Sequence, residues 1–208
     1  QNDTIPALII YKDKADNPTE IANQNKATLM IQAGIHAGEP DGIDAGFMLI
    51  RTLFSNTNYL DLLNKVTIIF IPVFNVDGLK LLSPYHRINQ NGPELQGWRA
   101  NAHNLNLNRD YMKASSVEMK YWLQFYYYWN PDLFIDCHTT DGADYQYVMT
   151  FDMQLPPFMS AKYNDFFKNN FIQNFINEMD NKGYLATQYV AFRNWFSPET
   201  GLAASLYS

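Results

Sequence analysis

Cysteine is nearly missing from this chain: Cys137 stands alone among 208 residues. No intrachain disulfide can form, so the fold must rest on its apolar core. That scarcity assigns no compartment, because a chain of this length can bury a sizeable core without crosslinks. No cluster of Lys and Arg stands out, and the formal net charge is −6, which speaks against nucleic acid as the main partner. No apolar run reaches the roughly 18 residues of a membrane-spanning helix, and no secretory leader is visible. The first residue is Gln rather than Met, so the missing leader says nothing about export. Repeats, low-complexity tracts and long flexible linkers are also missing. What the chain has in quantity is apolar: 47% hydrophobic and 15% aromatic residues, which excludes a disordered polymer.

Short apolar runs at Ala7–Ile10, Thr28–Ala33, Val66–Val73 and Leu133–Cys137 lack polar alternation, as strands covered on both faces do. Helical patterns fall between them. Pro40–Phe54 starts with Pro at a first-turn position. Ser115–Trp129 opens with Ser115-x-x-Glu118 or Ser116-x-x-Met119, the former being the better capping box, and Pro131 stops it. Ser160–Gly183 places Tyr163, Phe167, Phe171, Phe175 and Met179 four apart and ends at a glycine. Strands alternating with helices predict an α/β fold, with a mixed, mostly parallel central sheet and helices on both faces. The length suits one domain over residues 1–208.

Such sheets gather ligands beyond the carboxyl ends of their strands. His36 and Glu39 follow one strand end in "GIHAGEPDG", Asn75 and Asp77 another in "PVFNVDG", and His138 a third in "DCHTT". An imidazole and a carboxylate three residues apart on a tight turn can share one metal, and zinc accepts that mix. Catalytic zinc needs a third ligand and an open position, and His138 is the natural third. By strand alternation Asp136 shares the side of His138 and can bond its second nitrogen. Cys137 points the other way, as a small core residue. The segment "GWRANAHNLNLNRDY" carries Arg99 and Arg109 with asparagines between them. Asparagines favour turns, whereas arginine forks suit carboxylates and oxyanions. Asp110 and Tyr111 are expected to support that loop. His86 and His103 read as loop hydrogen-bonders, and "FYYYW" (Phe125–Trp129) as core.

In their order along the chain, these motifs resemble the zinc metallocarboxypeptidases, the carboxypeptidase A/B and regulatory carboxypeptidase group. "HAGE" resembles the His-x-x-Glu zinc motif and "FIPVFNVDG" the Pro-x-x-Asn-x-Asp-Gly segment. "WRANAHNLNLNRD", with Arg99 and Asn108 nine positions apart, is similar to the Arg-x-Asn…Asp-Leu-Asn-Arg segment. "DCHTT" resembles the strand-end histidine motif. The resemblance covers about half the chain and implies a metallopeptidase that uses Zn2+. By it His36, Glu39 and His138 bind the metal, and Arg99 stabilises the oxyanion. Asn108 and Arg109 hold the substrate's free carboxylate. The expected partner is a peptide or acylated amino acid with such a carboxylate. Secretion or a periplasmic home is expected by analogy.

One element departs from the family pattern. A late strand glutamate should act as general base, preceded by a loop tyrosine. After His138 the glutamates are Glu178, inside a helical pattern, and Glu199, in "WFSPETGLAAS". The chain is therefore expected to be incomplete at its C-terminus and inactive as it stands. Glu199 is the candidate base that remains, with Tyr189 or Tyr207 as loop tyrosine. Two other readings stay open. One is a zinc-dependent N-acyl-amino-acid deacylase of the aspartoacylase and desuccinylase kind. The other is a non-catalytic zinc- or carboxylate-binding module.

Overall fold

The computed structural model describes residues 4–140, 142, 145–152 and 160–189. The chain falls into two compact units, Gln1–Gly142 and Ala143–Ser208. The first unit runs β1 (Leu8–Ile10), α1 (Pro18–Asn23), β2 (Ala27–Gln32), α2 (Asp41–Ser55), α3 (Thr57–Leu60), β3 (Val66–Ile71), α4 (Val76–Lys80), α5 (Val117–Trp129) and β4 (Leu133–Asp136). All four strands expected from the apolar runs form. They make one sheet in the order β1-β3-β2-β4, with β2 parallel to β3 and β4, and β1 antiparallel to β3.

Both faces of this sheet are covered, which explains the unalternating strands. Met30 and Ile69 face a cluster with Ile35, Phe74, Leu107, Met119 and Trp122. Ile31, Ile68 and Phe70 face the other, with Leu53 and Leu63. Trp122 is the hub of the first cluster, stacked on Tyr126 at 4.9 Å and edge-on to Tyr111 at 5.0 Å and Phe134 at 5.4 Å. The aromatic run on α5 is divided: Tyr126 and Trp129 pack inward, while Tyr127 and Tyr128 are exposed.

Register places the site. Gln32 lies opposite both Ile71 and Asp136, so the three parallel strands end level. Asp132 ties β2 to β4 at the other end, accepting from the Thr28 amide at 2.7 Å while its own amide donates to the Thr28 carbonyl at 2.9 Å.

The start of α5 departs from expectation. Ser116, not Ser115, is the cap, and its hydroxyl accepts from the Met119 amide at 3.1 Å. Asp110 takes the amides and hydroxyls of both serines, and Glu118 instead accepts from Asn101 at 2.9 Å. A buried carboxylate offering full charge outcompetes the reciprocal box. The helix ends at Asn130 in a left-handed conformation, just before Pro131.

The second unit pairs β5 (Met149–Phe151) with β6 (Ala186–Gln188) in parallel, two short strands with no clear trace in the apolar pattern. Between them lie α6 (Ala161–Phe166), a π-helical stretch Phe167–Ile172 and α7 (Gln173–Asn181). The expectation of one regular α-helix therefore fails in the middle. Aromatics repeating every fourth residue overrun the roughly 3.6 of an α-turn, and a wider turn restores their alignment. Phe167 and Phe171 meet there at 5.6 Å, and Phe175 packs on Phe151 at 5.4 Å.

Candidate metal centre

Beyond β2 the chain turns at Gly34, whose φ of +63° suits glycine. The turn is tied to the chain after β3: Phe74 donates to the Ala33 carbonyl at 3.0 Å and Asn75 to that of Gly34 at 2.9 Å. The Glu39 amide then donates to the His36 carbonyl at 3.0 Å, closing the turn that carries both candidate ligands. At Gly38 a Cβ would lie 2.7 Å from the Gly97 carbonyl oxygen and 2.8 Å from Arg87 Cγ, so the turn packs where no side chain fits. His36 and Glu39 are buried, and His138, two residues past β4, is about one-third exposed.

Among the described residues, His36, Glu39 and His138 form a group whose ligating atoms lie within 4.8 Å of one another. His36 Nδ1 is 3.0 Å from Glu39 Oε1, and His138 Nδ1 is 3.1 Å from Glu39 Oε2. Asn106, which no sequence pattern singled out, settles the orientation of His36. Its Oδ1 accepts from the Asn108 amide at 3.1 Å, so the carboxamide cannot be turned round. The same oxygen lies 3.2 Å from His36 Nε2, and an acceptor there puts the ring proton on Nε2. Nδ1 then presents a lone pair to a carboxylate oxygen. It is a buried nitrogen with no hydrogen-bond partner. Two lone pairs facing each other in a dry site call for a cation between them, so the donor set fits a divalent metal.

The other nitrogen of His138, Nε2, lies 3.0 Å from Asp136 Oδ2, as strand alternation predicts. Asp136 is held in turn by Gln32 at 3.1 Å and the Tyr111 hydroxyl at 3.4 Å. Burial alone would push the His138 imidazole down, but Asp136 and Glu39 outweigh it and raise it to about 9. Burial would likewise raise the Glu39 carboxyl. The bond from His138 prevails and holds it far below the usual carboxylate range. Burial and the Asp136 charge push the Cys137 thiol up to about 11, and Cys137 packs on the opposite face.

Arg99 stands beside the centre, its Nη1 3.3 Å from Glu39 Oε1. Its loop is fixed by the residues of the "NVDG" segment. Asn75 donates to the Trp98 and Arg99 carbonyls at 3.4 and 3.3 Å, and Asp77 accepts from the Ala102 amide at 3.2 Å. These two polar residues brace the site. Asn108 Nδ2 lies 3.4 Å from His138 Nε2, and the exposed Arg109 donates to the Asn108 carbonyl at 2.9 Å. A second residue missed in the sequence is Arg87, buried, with Nη1 2.5 Å from Glu39 Oε1. It belongs to no spacing pattern. With His86, Asn89 and Arg99 it lines an open cavity of about 290 Å³. His86 packs edge-on to Trp98 at 5.0 Å, and His103 is exposed. Glu178 lies on α7, whereas Glu199 and Tyr207 fall outside the described residues.

The fold is similar to that of a metallo-carboxypeptidase from Burkholderia cenocepacia, with TM-score 0.63 and 20% identity over 89% of this chain and 45% of that one. A Pseudomonas aeruginosa metallo-carboxypeptidase, solved with (2-guanidinoethylmercapto)succinic acid, gives TM-score 0.62 and 21% identity over 96% and 46%. Carboxypeptidase A from Helicoverpa armigera gives 0.56 and 18% over 88% and 48%. The chain thus spans less than half the length of these solved structures. No curated protein matches it. The model of the zinc carboxypeptidase family matches residues 1–158, which include all three candidate ligands, and zinc is that family's metal. The chain belongs to the zinc carboxypeptidase family.

Proposed function

We propose that this chain carries the metal-binding half of a catalytic domain that hydrolyses the peptide bond next to a free carboxylate. His36, Glu39 and His138 would hold the zinc. Zinc, when bound, supplies electrophilic polarisation of a carbonyl and of the attacking water. Arg99, already aimed at the centre, stabilises negative charge as it develops on the scissile carbonyl oxygen. One such preorganised donor is worth about 3–4 kcal/mol. Asn108 and Arg109 bind the free carboxylate and so select which bond faces the metal. Asp136 and Asn106 hold the two imidazoles in their tautomers. The proton-accepting base is assigned to a residue outside those described, with Glu199 the candidate in this chain.

The observation that carries this reading is the buried lone pair of His36 Nδ1 facing Glu39 Oε1 within reach of His138. Zinc uptake and substrate choice test it together. A longer form that includes a late glutamate should bind one zinc and cleave a hippuryl-type peptide, and the same peptide with an amidated C-terminus should be spared. Faster cleavage of an N-acyl amino acid would favour the deacylase reading. Zinc binding with no turnover of either would leave a binding module.

A further inference from the structure

We propose that Arg87 is a positioning residue that neutralises Glu39 while the centre holds no metal and thereby opposes metal uptake, an inference that rests on the metal-binding role of Glu39. Glu39 is 2% exposed, and a carboxylate that dry needs a counter-charge. Its two oxygens are treated differently. Oε2 accepts from the Thr139 amide at 3.1 Å and faces His138. Oε1 takes the guanidinium of Arg87 at 2.5 Å, with Arg99 further off at 3.3 Å. Arg87 is 4% exposed and Arg99 30%, so the Arg87 contact is both shorter and less screened by water.

The backbone is shaped for this contact. The Arg87 stem lies against Gly38, one residue before Glu39, at a distance a Cβ would reduce to 2.8 Å. Any side chain at position 38 would therefore press on the arginine. Arg87 thus sits by construction on the carboxylate that a metal must share with His36 and His138. A divalent ion bound there meets a fixed positive charge across that carboxylate, and like charges weaken binding. An ordinary outer partner of a ligand does the opposite, and its loss weakens metal binding. The sign of the effect therefore separates the two roles.

The experiment uses the 208-residue chain, with R87K and R87M made alone and in an E39Q background. Metal-free melting temperature and zinc affinity, by competition with a chromophoric chelator, are the readouts. R87M is expected to lower the metal-free melting temperature by roughly 6–15 °C and to tighten zinc binding by about tenfold or more. R87K, which keeps the charge, should stay near the parent in both. In the E39Q background the R87M loss in melting temperature should shrink or vanish. An unchanged metal-free melting temperature, an equal loss in the E39Q background, or weaker zinc binding by R87M would each overturn the proposal. Should R87M fail to fold, the E39Q, R87M pair decides: a folded pair supports charge compensation, and an unfolded one leaves only a packing role and refutes it. If neither the parent nor R87M binds zinc, the metal-site reading fails while the melting arms still judge Arg87.

Discussion

The two compact units use similar residues to opposite effect. In Gln1–Gly142 the apolar strands lie side by side in one mostly parallel sheet, and Met30, Ile69, Phe70 and Phe74 are almost fully enclosed. In Ala143–Ser208 several described aromatics meet one another in pairs, yet none of the described residues is buried. A sheet with two covered faces removes both faces of its central strands from water, whereas a helix encloses only the stripe that finds a partner surface. The unit with the closed core is also the one whose strand ends converge, and the candidate centre lies there. Precise placement of polar groups needs a rigid support, and packing supplies it.

That contrast can be broken most directly at the centre. H138A should lose stoichiometric zinc after dialysis against buffer, read by elemental analysis, and leave the far-ultraviolet circular dichroism of the chain unchanged. Retained zinc would mean that the histidine is no ligand. Next in size is packing. W122A removes the hub of the buried cluster and should cost about 3–5 kcal/mol in urea unfolding. F171A, on the half-exposed π-helical stretch, should cost under about 1 kcal/mol. Equal losses would erase the distinction between the units.

Smaller effects sharpen the picture. N106A should weaken zinc binding about 10–100-fold, because the His36 tautomer loses its acceptor. A direct titration of the metal-free protein checks this. Asp110 tests the link between the Arg109 turn and α5. Burial would raise its carboxyl, but the bonds from Ser115 and Ser116 lower it from 3.8 to about 2. A depressed carboxyl stabilises the fold above its unfolded value and loses that contribution as pH falls through its folded one. D110N should therefore be less stable than the parent at pH 5 and nearly level with it at pH 2, as read by thermal melts. The smallest change is S116A, about 1 kcal/mol from a lost helix cap, where S115A leaves the cap intact.

Much of the first unit was legible in the chain. Four apolar runs without alternation announced the four strands, of which the central β2 and β3 are the ones buried on both faces, and His36, Glu39 and His138 each follow such a run closely. Arg99 was singled out by the resemblance of its segment to the zinc metallocarboxypeptidases, and the fold sets it beside Glu39. The π-helical stretch and the short strands of the second unit were harder to read. A three-residue strand leaves too little pattern, and a four-residue aromatic repeat looks like an ordinary helix until its turns are counted. Arg87 and Asn106 escaped because each acts on a residue about fifty or more positions away.

Local chemistry thus decided which segments become strands, where the chain turns, and which side chains are able to bind a metal, since those properties belong to a few adjacent residues. Folding alone decided which atoms face each other. The level ends of three strands bring His36 and His138 to one carboxylate, a single amide acceptor selects the free nitrogen of His36, and Asp110 chooses Ser116 over Ser115 as the cap. Those choices depend on distances between segments remote in the chain, and strand register together with the packed core sets them.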